Sequence, residues 1–426
     1  MSEPLDIDQA RRRFLIMTAA RWVPVGVTSP VIILVLLERG LTLTQIASIW
    51  AIGTVATFAL ELPTSGLADT YGRRPVLLAA NLLSAAAWLG FALAHSWVGF
   101  LLAIVTMSVG RALDSGPLEA WFVDAAHAHD PDAPVNDALA RQGLVLGLSI
   151  AAGSILSALV IWRHPVHSLF GTALTPLENA VWLAVLAGPL HVITTAVLMR
   201  ETRGPDGRRL SPETDEPRQT IRSTIRSGLA LVRRSPVLAG VLAAEVAWSI
   251  GMVSFESLMP VRLSELLGSQ TTGGAWMGPV SALGWGVFAG GSALAGLAQR
   301  RIGVALTAML ARALNAIGAI ALGLAAGPIA LVLAYLVAYS THGMNGAPHA
   351  ALLHSVAESR NRSTVLSLNS MVAFVAFAAF GPLAGVLADH RGVSTAMIAL
   401  GVASALGVAG YLPARRAELR TAPAAA

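Results

Sequence analysis

Apolar residues in this chain gather in long runs separated by short polar stretches, and the pattern repeats from the N-terminal to the C-terminal region. A helix that crosses a bilayer needs ~20 mainly apolar residues, since each residue adds about 1.5 Å of rise. On that measure the runs at 14–37, 43–67, 75–94, 97–122, 138–162, 179–199, 237–260, 275–298, 303–326, 328–353, 364–387 and 393–412 are read as twelve membrane-spanning helices. Several runs carry Gly, Pro or Ser at interior positions, which membrane helices tolerate because close packing satisfies the backbone again. The predicted fold class is therefore all-α integral membrane, with twelve transmembrane helices in two pseudo-symmetric six-helix bundles.

One polar interruption is longer than the rest and divides the spans six and six. The expected layout is a cytoplasmic N-terminus at 1–13, an N-terminal six-helix bundle at 14–199, a linker at 200–236, a C-terminal six-helix bundle at 237–412 and a cytoplasmic tail at 413–426. The first part of the linker is rich in Pro, Gly and charge. Its second part places Ile221, Ile225, Leu229 and Val232 on one helical face and Arg222, Arg226 and Arg233 off it, so an amphipathic helix lying on the inner leaflet is expected, a plain helical linker being the alternative.

Composition agrees with the pattern. Of 426 residues, 55% are apolar and only 12% charged, so lipid rather than water must surround most of the chain. There is no Cys, which removes disulfides, thiolate catalysis and Cys-ligated metals. Every basic residue is Arg. The arginines cluster in alternate loops: Arg11 to Arg13, Arg73, Arg74, Arg141, the 200–234 segment, Arg300, Arg301, Arg360, Arg362, Arg415, Arg416 and Arg420 fall on one side. Only Arg39, Arg163, Arg262 and Arg391 fall on the other. This asymmetry predicts a multi-pass protein of the cell's inner (cytoplasmic) membrane with both termini cytoplasmic, and it argues against a nucleic-acid-binding face. The first apolar run is longer than the core of a signal peptide and contains Arg21, so no cleavable signal is expected.

The polar stretch between the second and third runs, Pro63 to Pro75, has a chemistry of its own. Gly72 and the flanking prolines suit a sharp reversal, and Asp69 at the end of one helix precedes Arg73 and Arg74 at the start of the next. An electrostatic latch is expected here, with Glu119 and Asp124 as partners for Arg73 or Arg74; the plainer reading is a polar turn. The stretch recurs: Ser65 to Gly72 matches Gly385 to Gly392 and, more weakly, Gly296 to Gly303, each at the end of the second helix in a group of three. Ser115 to Asp124 also aligns with Asn345 to His354. Repeats of this kind mark transporters built from related helical units.

Six plus six spans, the central loop and the residues Leu67, Ala68, Asp69, Gly72, Arg73 and Arg74 resemble the major facilitator superfamily, although Ser65 replaces the usual leading glycine. The lead-in Glu61 to Thr64 and the stretch Ser115 to Asp124 resemble its drug-efflux branch, which includes macrolide and tetracycline exporters. The resemblance implies alternating access of two halves around a central site, with the Asp69–Arg73 hairpin stabilising one closed state.

Ionisable residues inside spans are costly and mark candidate functional positions. Arg21 and Asp114 lie at matching depth, Arg111 is one helical turn from Asp114, and Glu61 is placed nearby, so a cluster is expected. Asp114 and Glu245 are the candidate proton carriers, with Arg111 and Arg21 as coupling partners. The alternatives are a permanent structural network for Asp114 and a protonated, hydrogen-bonded carboxyl for Glu245. Glu256 is expected near interfacial water at the outer end of its span, and Arg312 is expected to snorkel or pair structurally. Trp22, Glu61, Trp248, Trp285, Tyr335 and Tyr339 are expected to line a substrate cavity suited to a flat, hydrophobic or cationic molecule. His342, His349 and His354 are read as polar packing, not a metal site. No nucleotide loop or catalytic triad is seen, so no enzyme activity and no cofactor are expected. The function expected is proton-coupled efflux of a small amphiphilic drug or secondary metabolite by a monomer. The alternatives are proton-coupled or facilitative uptake of a small metabolite, anionic or not, and a transport-inactive sensor or scaffold on the same fold.

Overall fold

The computed structural model describes residues 5–64, 66–130, 133–201, 221–357 and 362–421, and it is helical almost throughout. In chain order, α1 (Ile7–Thr28) and α2 (Ile32–Glu38) are followed by α3 (Leu43–Thr64), α4 (Leu67–Tyr71), α5 (Arg73–Leu93), α6 (Trp97–Leu113), α7 (Pro117–His129) and α8 (Asn136–Arg163). A two-stranded hairpin, β1 (Ser168–Leu169) and β2 (Thr172–Ala173), leads into α9 (Pro176–Leu198) and α10 (Ile221–Arg234). Then come α11 (Pro236–Glu256), α12 (Met259–Leu267), α13 (Gln270–Ile302), α14 (Val304–Leu324) and α15 (Pro328–Val356). The chain closes with α16 (Arg362–Arg391), α17 (Val393–Ala405), α18 (Gly407–Gly410) and α19 (Leu412–Thr421).

Among the described residues, ten helical segments are long and apolar enough to cross a membrane, or eleven if the bent pair α1–α2 counts as one span. Outside that set, α15 has ample length with 29 residues, but from its middle onward it carries Ser340, Thr341, His342, Asn345, His349 and His354. The fold is all-α integral membrane, as the apolar pattern predicts.

Local chemistry sets the helix starts. Ser96, Ser235 and Ser269 each accept a hydrogen bond from the backbone three residues on. Thr175 and Glu178 form a reciprocal capping box with Pro176 at the first helical position. The repeated polar stretch is visible in the backbone: Gly72, Gly303 and Gly392, which align in the sequence, precede α5, α14 and α17 with φ of 101°, 87° and 87° and ψ of 150°, 164° and 155°. Only glycine adopts that conformation without strain, so each unit turns by the same device.

The chain forms two compact units. The first holds residues 1–41, 52–217 and 274–282, and the second holds 42–51, 218–273 and 283–426, so α3 and α13 each contribute to both. In the first unit, α1 and α8 meet backbone to backbone. A Cβ added to Gly26 would lie 2.5 Å from the Ile150 carbonyl, and one added to Gly153 would lie 2.6 Å from the Val23 carbonyl. Ser154 Oγ donates to the Gly26 carbonyl at 3.1 Å across the same seam, the small-residue packing expected where apolar burial gives no advantage over lipid. Phe14 stacks on Phe122 at 4.7 Å in its core. The second unit is cored by Leu238, Val241, Ala305, Ala308, Leu353, Val365 and Tyr411.

The structure departs from the sequence reading at several helix ends. Span one breaks at Ser29 to Val31 with a 40° bend, where Pro30 interrupts the ladder. Span four breaks at Asp114 to Gly116, where Gly116 is left-handed (φ 96°) ahead of Pro117. Span seven breaks after Glu256 and continues through α12 to Leu267, well past the expected end. The amphipathic segment folds as α10; the linker at 202–220 and the side chains of 221–227 lie outside the described residues.

Candidate functional site

Two groups of buried ionisable residues form, one in each unit. In the first, the break between α6 and α7 leaves Asp114 as the last cap of α6, with Arg111 in the final turn. A carboxylate at a helix C-terminus faces the negative end of the dipole and needs a cation. Arg21 from α1 provides it, with Nε 2.8 Å from Asp114 Oδ2, and its guanidinium lies 5.5 Å from the centre of the Trp22 ring. Arg111 lies in electrostatic range of Arg21, Asp114 and Glu61, and Ser115 Oγ donates to Glu61 Oε1 at 2.9 Å. The structure thus brings together Arg21, Glu61, Arg111 and Asp114. Asp114 Oδ1 is buried with no hydrogen-bond partner among the described residues.

At the hairpin, Arg73 Nη1 pairs with Asp124 Oδ2. Arg74 turns elsewhere: its Nη2 donates to the Ala196 carbonyl at 2.6 Å and its backbone N–H donates to Glu201 Oε1 at 3.3 Å. Glu119 accepts from Gln142 Nε2 and meets neither arginine. Asp69 lies on α4, and its side chain is outside the described residues.

In the second unit, Glu245 on α11 is 8% exposed and its Oε2 lies 3.3 Å from His349 Nε2. Tyr411 Oη lies 2.8 Å from His349 Nδ1, while Nε2 also faces Asn369 Oδ1 at 3.0 Å. Two acceptors at Nε2 assign the ring proton there, so Tyr411 donates to Nδ1. Arg312 is 0% exposed, so of the two expectations for it, snorkelling or a structural pair, snorkelling is ruled out. Its Nε, Nη1 and Nη2 have no hydrogen-bond partner among the described residues, and its guanidinium carbon lies 6.0 Å from the centre of the Trp248 ring. The electrostatic neighbours of Arg312 include Glu245, His342 and His349.

The expected aromatic residues of this unit also converge. Trp248 Nε1 donates to His342 Nδ1 at 3.2 Å and the two rings stack at 5.3 Å. Tyr339 lies 4.9 Å from Tyr335 and 6.2 Å from Trp285, and its hydroxyl donates to Glu256 Oε1 at 2.7 Å. Sequence reasoning missed His349 and Asn369 as partners of Glu245, and Tyr411 as the partner of His349, because they come from other parts of the chain at no fixed spacing. It also undervalued Glu256: the end of the span was drawn too early, and Pro260 was the available signal. Among the described residues, no group of three or more His, Asp or Glu side chains could hold a metal ion.

Two spans that break beside an acid, at Asp114 and at Glu256, and buried acids that meet arginine or histidine from other helices have the construction of a polytopic membrane transporter. The family model described as Major Facilitator Superfamily matches residues 14–368, and the chain belongs to that superfamily. An uncharacterized MFS-type transporter, YxaM of Bacillus subtilis (strain 168), is 27% identical over 146 residues, 34% of this chain and 36% of that protein, so the chain matches about a third of that relative's length. Among solved structures, the nucleoside transporter NupG superposes with a TM-score of 0.76 at 10% identity over 95% of this chain and 98% of the other. A bacterial homologue of the lysosomal transporter Spinster, inward-facing and occupied, gives 0.75 at 13% identity over 100% of both chains. A bacterial homologue of the iron transporter ferroportin, inward-facing, gives 0.70 at 16% identity over 95% and 98%. At these identities the likeness is one of fold.

Proposed function

We propose that this major facilitator transporter exports a small amphiphilic molecule in exchange for protons, by alternating access, as a monomer with both termini in the cytoplasm. The observation that carries the reading is Asp114: buried, held to Arg21 by one oxygen, and with the other oxygen unpartnered among the described residues. A carboxyl so placed can take a proton when a conformational change withdraws the arginine, and release it when the arginine returns. Glu245, with His349 at 3.3 Å and Arg312 in electrostatic range, is the equivalent carrier in the second unit. Arg73 and Asp124 act with Asp69 as the latch of one closed state. A second reading is uptake of an anionic metabolite, with the buried guanidinium of Arg312, which lacks a hydrogen-bond partner among the described residues, exposed to it in another state.

The test is flux in proteoliposomes under an imposed pH gradient. Antiport predicts movement of ethidium against its gradient, dissipated when the pH gradient is collapsed and reduced at least tenfold in Asp114→Asn and in Glu245→Gln. Movement that ignores the gradient would exclude antiport, and accumulation in the uptake sense would favour the second reading. A folded protein that moves no solute would favour a sensor.

A further inference from the structure

The chain breaks α11 for a local reason. Pro260 has no N–H, so it cannot donate to the carbonyl of Glu256 four residues earlier. Ser257 and Leu258 instead both turn back to the Val253 carbonyl, at 3.0 and 3.1 Å, and α12 starts at Met259. Glu256 therefore stands at a helix break inside the long apolar segment Pro236–Leu267, about 16 Å of helical rise from its end. Broken helices inside spans are where transporters of this kind of architecture expose polar groups to a ligand.

Glu256 is an exposed side chain in an aromatic setting. Oε1 accepts from Tyr339, and among the described residues the second oxygen has no hydrogen-bond partner. Tyr339 is 5% exposed, and the rings of Phe255 and Phe288 lie 6.0 and 6.2 Å from it, with Trp285 also at 6.2 Å. Trp285 and Phe288 are half-buried, so each presents part of its surface. Close approach of α13 permits this: a Cβ on Gly284 would lie 3.0 Å from the Tyr335 ring. The charge balance gives the sign of the ligand. Of the cations near it, Arg262 on α12 is paired with Glu265 at 2.9 Å, and Arg312 is 0% exposed and stands against Trp248, eight residues and about 12 Å of rise along α11 from Glu256. The charge this surface offers a ligand is the carboxylate's.

We infer that Glu256 and the rings around Tyr339 form the recognition site for a cationic amphiphile, an ammonium or amidinium group joined to a flat apolar body. The carboxylate receives the cation, the ring faces within about 6 Å add cation–π attraction, and Trp285 and Phe288 cover the apolar body. This site rests on the transport reading above, and it specifies the class of substrate.

Equilibrium binding to the purified full-length chain in detergent tests it without any gradient. Ethidium is the cationic probe and fluorescein an anionic probe of similar size. Glu256→Gln is expected to weaken ethidium binding at least tenfold with an unchanged melting temperature. Tyr339→Phe, which keeps the ring and removes the hydroxyl, is expected to weaken it severalfold, and Trp285→Leu is expected to weaken ethidium and rhodamine 6G together. Wild-type affinity in Glu256→Gln, preference of the wild type for fluorescein, or a folded wild type that binds none of ethidium, rhodamine 6G and tetraphenylphosphonium would each overturn the site. Ethidium bound through Glu256 but not moved by a pH gradient would refute antiport and leave the site standing. Gradient-driven flux unaffected by Glu256→Gln would do the reverse.

Discussion

Removing Arg39 should loosen the first unit as much as truncating a large side chain of its apolar packing. Arg39 follows α2 and is 6% exposed at its side chain. Its Nη1 donates to the carbonyls of Phe91 and Ala94 at 2.8 and 2.6 Å, and its Nη2 to that of Ala92 at 2.9 Å, so it satisfies the last carbonyls of α5. Nη2 and Nε also donate to Glu178 Oε1 at 2.7 and 3.1 Å. Glu178 in turn caps α9, with Oε2 accepting from the Thr175 N–H at 2.9 Å. One guanidinium therefore joins the loop after α2, the end of α5 and the start of α9.

Breaking a buried ion pair by removing one partner costs about 3–5 kcal/mol, because the other charge is left buried and uncompensated. The loss of three carbonyl acceptors belongs to the same event and is not added separately. For a unit of this size each kcal/mol corresponds to roughly 2–4 °C, so Arg39→Met should lower the melting temperature by on the order of 10 °C. The assay is thermal unfolding of the purified protein in detergent, read by size-exclusion profile after heating. Arg39→Lys should fall between the two, since an ammonium keeps the charge but cannot span carboxylate and carbonyls together. Arg39→Met with Glu178→Gln should recover part of the loss, since the stranded charge is gone. A shift below about 2 °C in Arg39→Met, or a double variant less stable than the single one by the full cost of Glu178→Gln, would refute the reasoning.

Two further outcomes are specific. Arg312→Met removes a buried cation that has no hydrogen-bond partner among the described residues but lies in electrostatic range of buried Glu245; gradient-driven flux should fall at least tenfold, and a variant that transports normally would remove Arg312 from the proposed coupling. Asp389 accepts from the backbone N–H groups of Leu43 and Thr44 at 3.0 and 2.8 Å and from Thr44 Oγ1 at 2.6 Å, capping the start of α3 from the end of α16; Asp389→Ala should cost about 1 kcal/mol, the low part of the capping range for an exposed group, and raise amide exchange in the first turn of α3 about fivefold by mass spectrometry, where unchanged exchange would show the cap to be idle.

The span pattern and the repeat were legible in the sequence because they depend on local facts. Lipid demands long apolar helices whatever their neighbours, and a repeated turn requires glycine wherever it occurs, so Gly72, Gly303 and Gly392 align in the sequence and share one backbone conformation. Pairing of charges was legible only where depth and spacing narrowed the choice, as for Arg21 with Asp114. The acid of the second unit shows the limit: Glu245 meets His349 from α15, which in turn meets Tyr411 and Asn369, and nothing in one helix's periodicity names a partner on another. Arg312 shows a different limit, since a long cationic side chain is expected to reach for water, yet packing around α14 leaves it 0% exposed. Helix breaks fall between these cases. Pro30 and Pro260 stood in the sequence as interruptions, near the C-terminal ends of the first and seventh apolar runs, and the second frees the carbonyl of Glu256 beside the aromatic cluster. An apolar window long enough to detect a span averages over such a residue. The lesson for a chain of this kind is that proline inside an apolar run marks a helix break, and that the residue four positions before it loses its carbonyl's helical partner there.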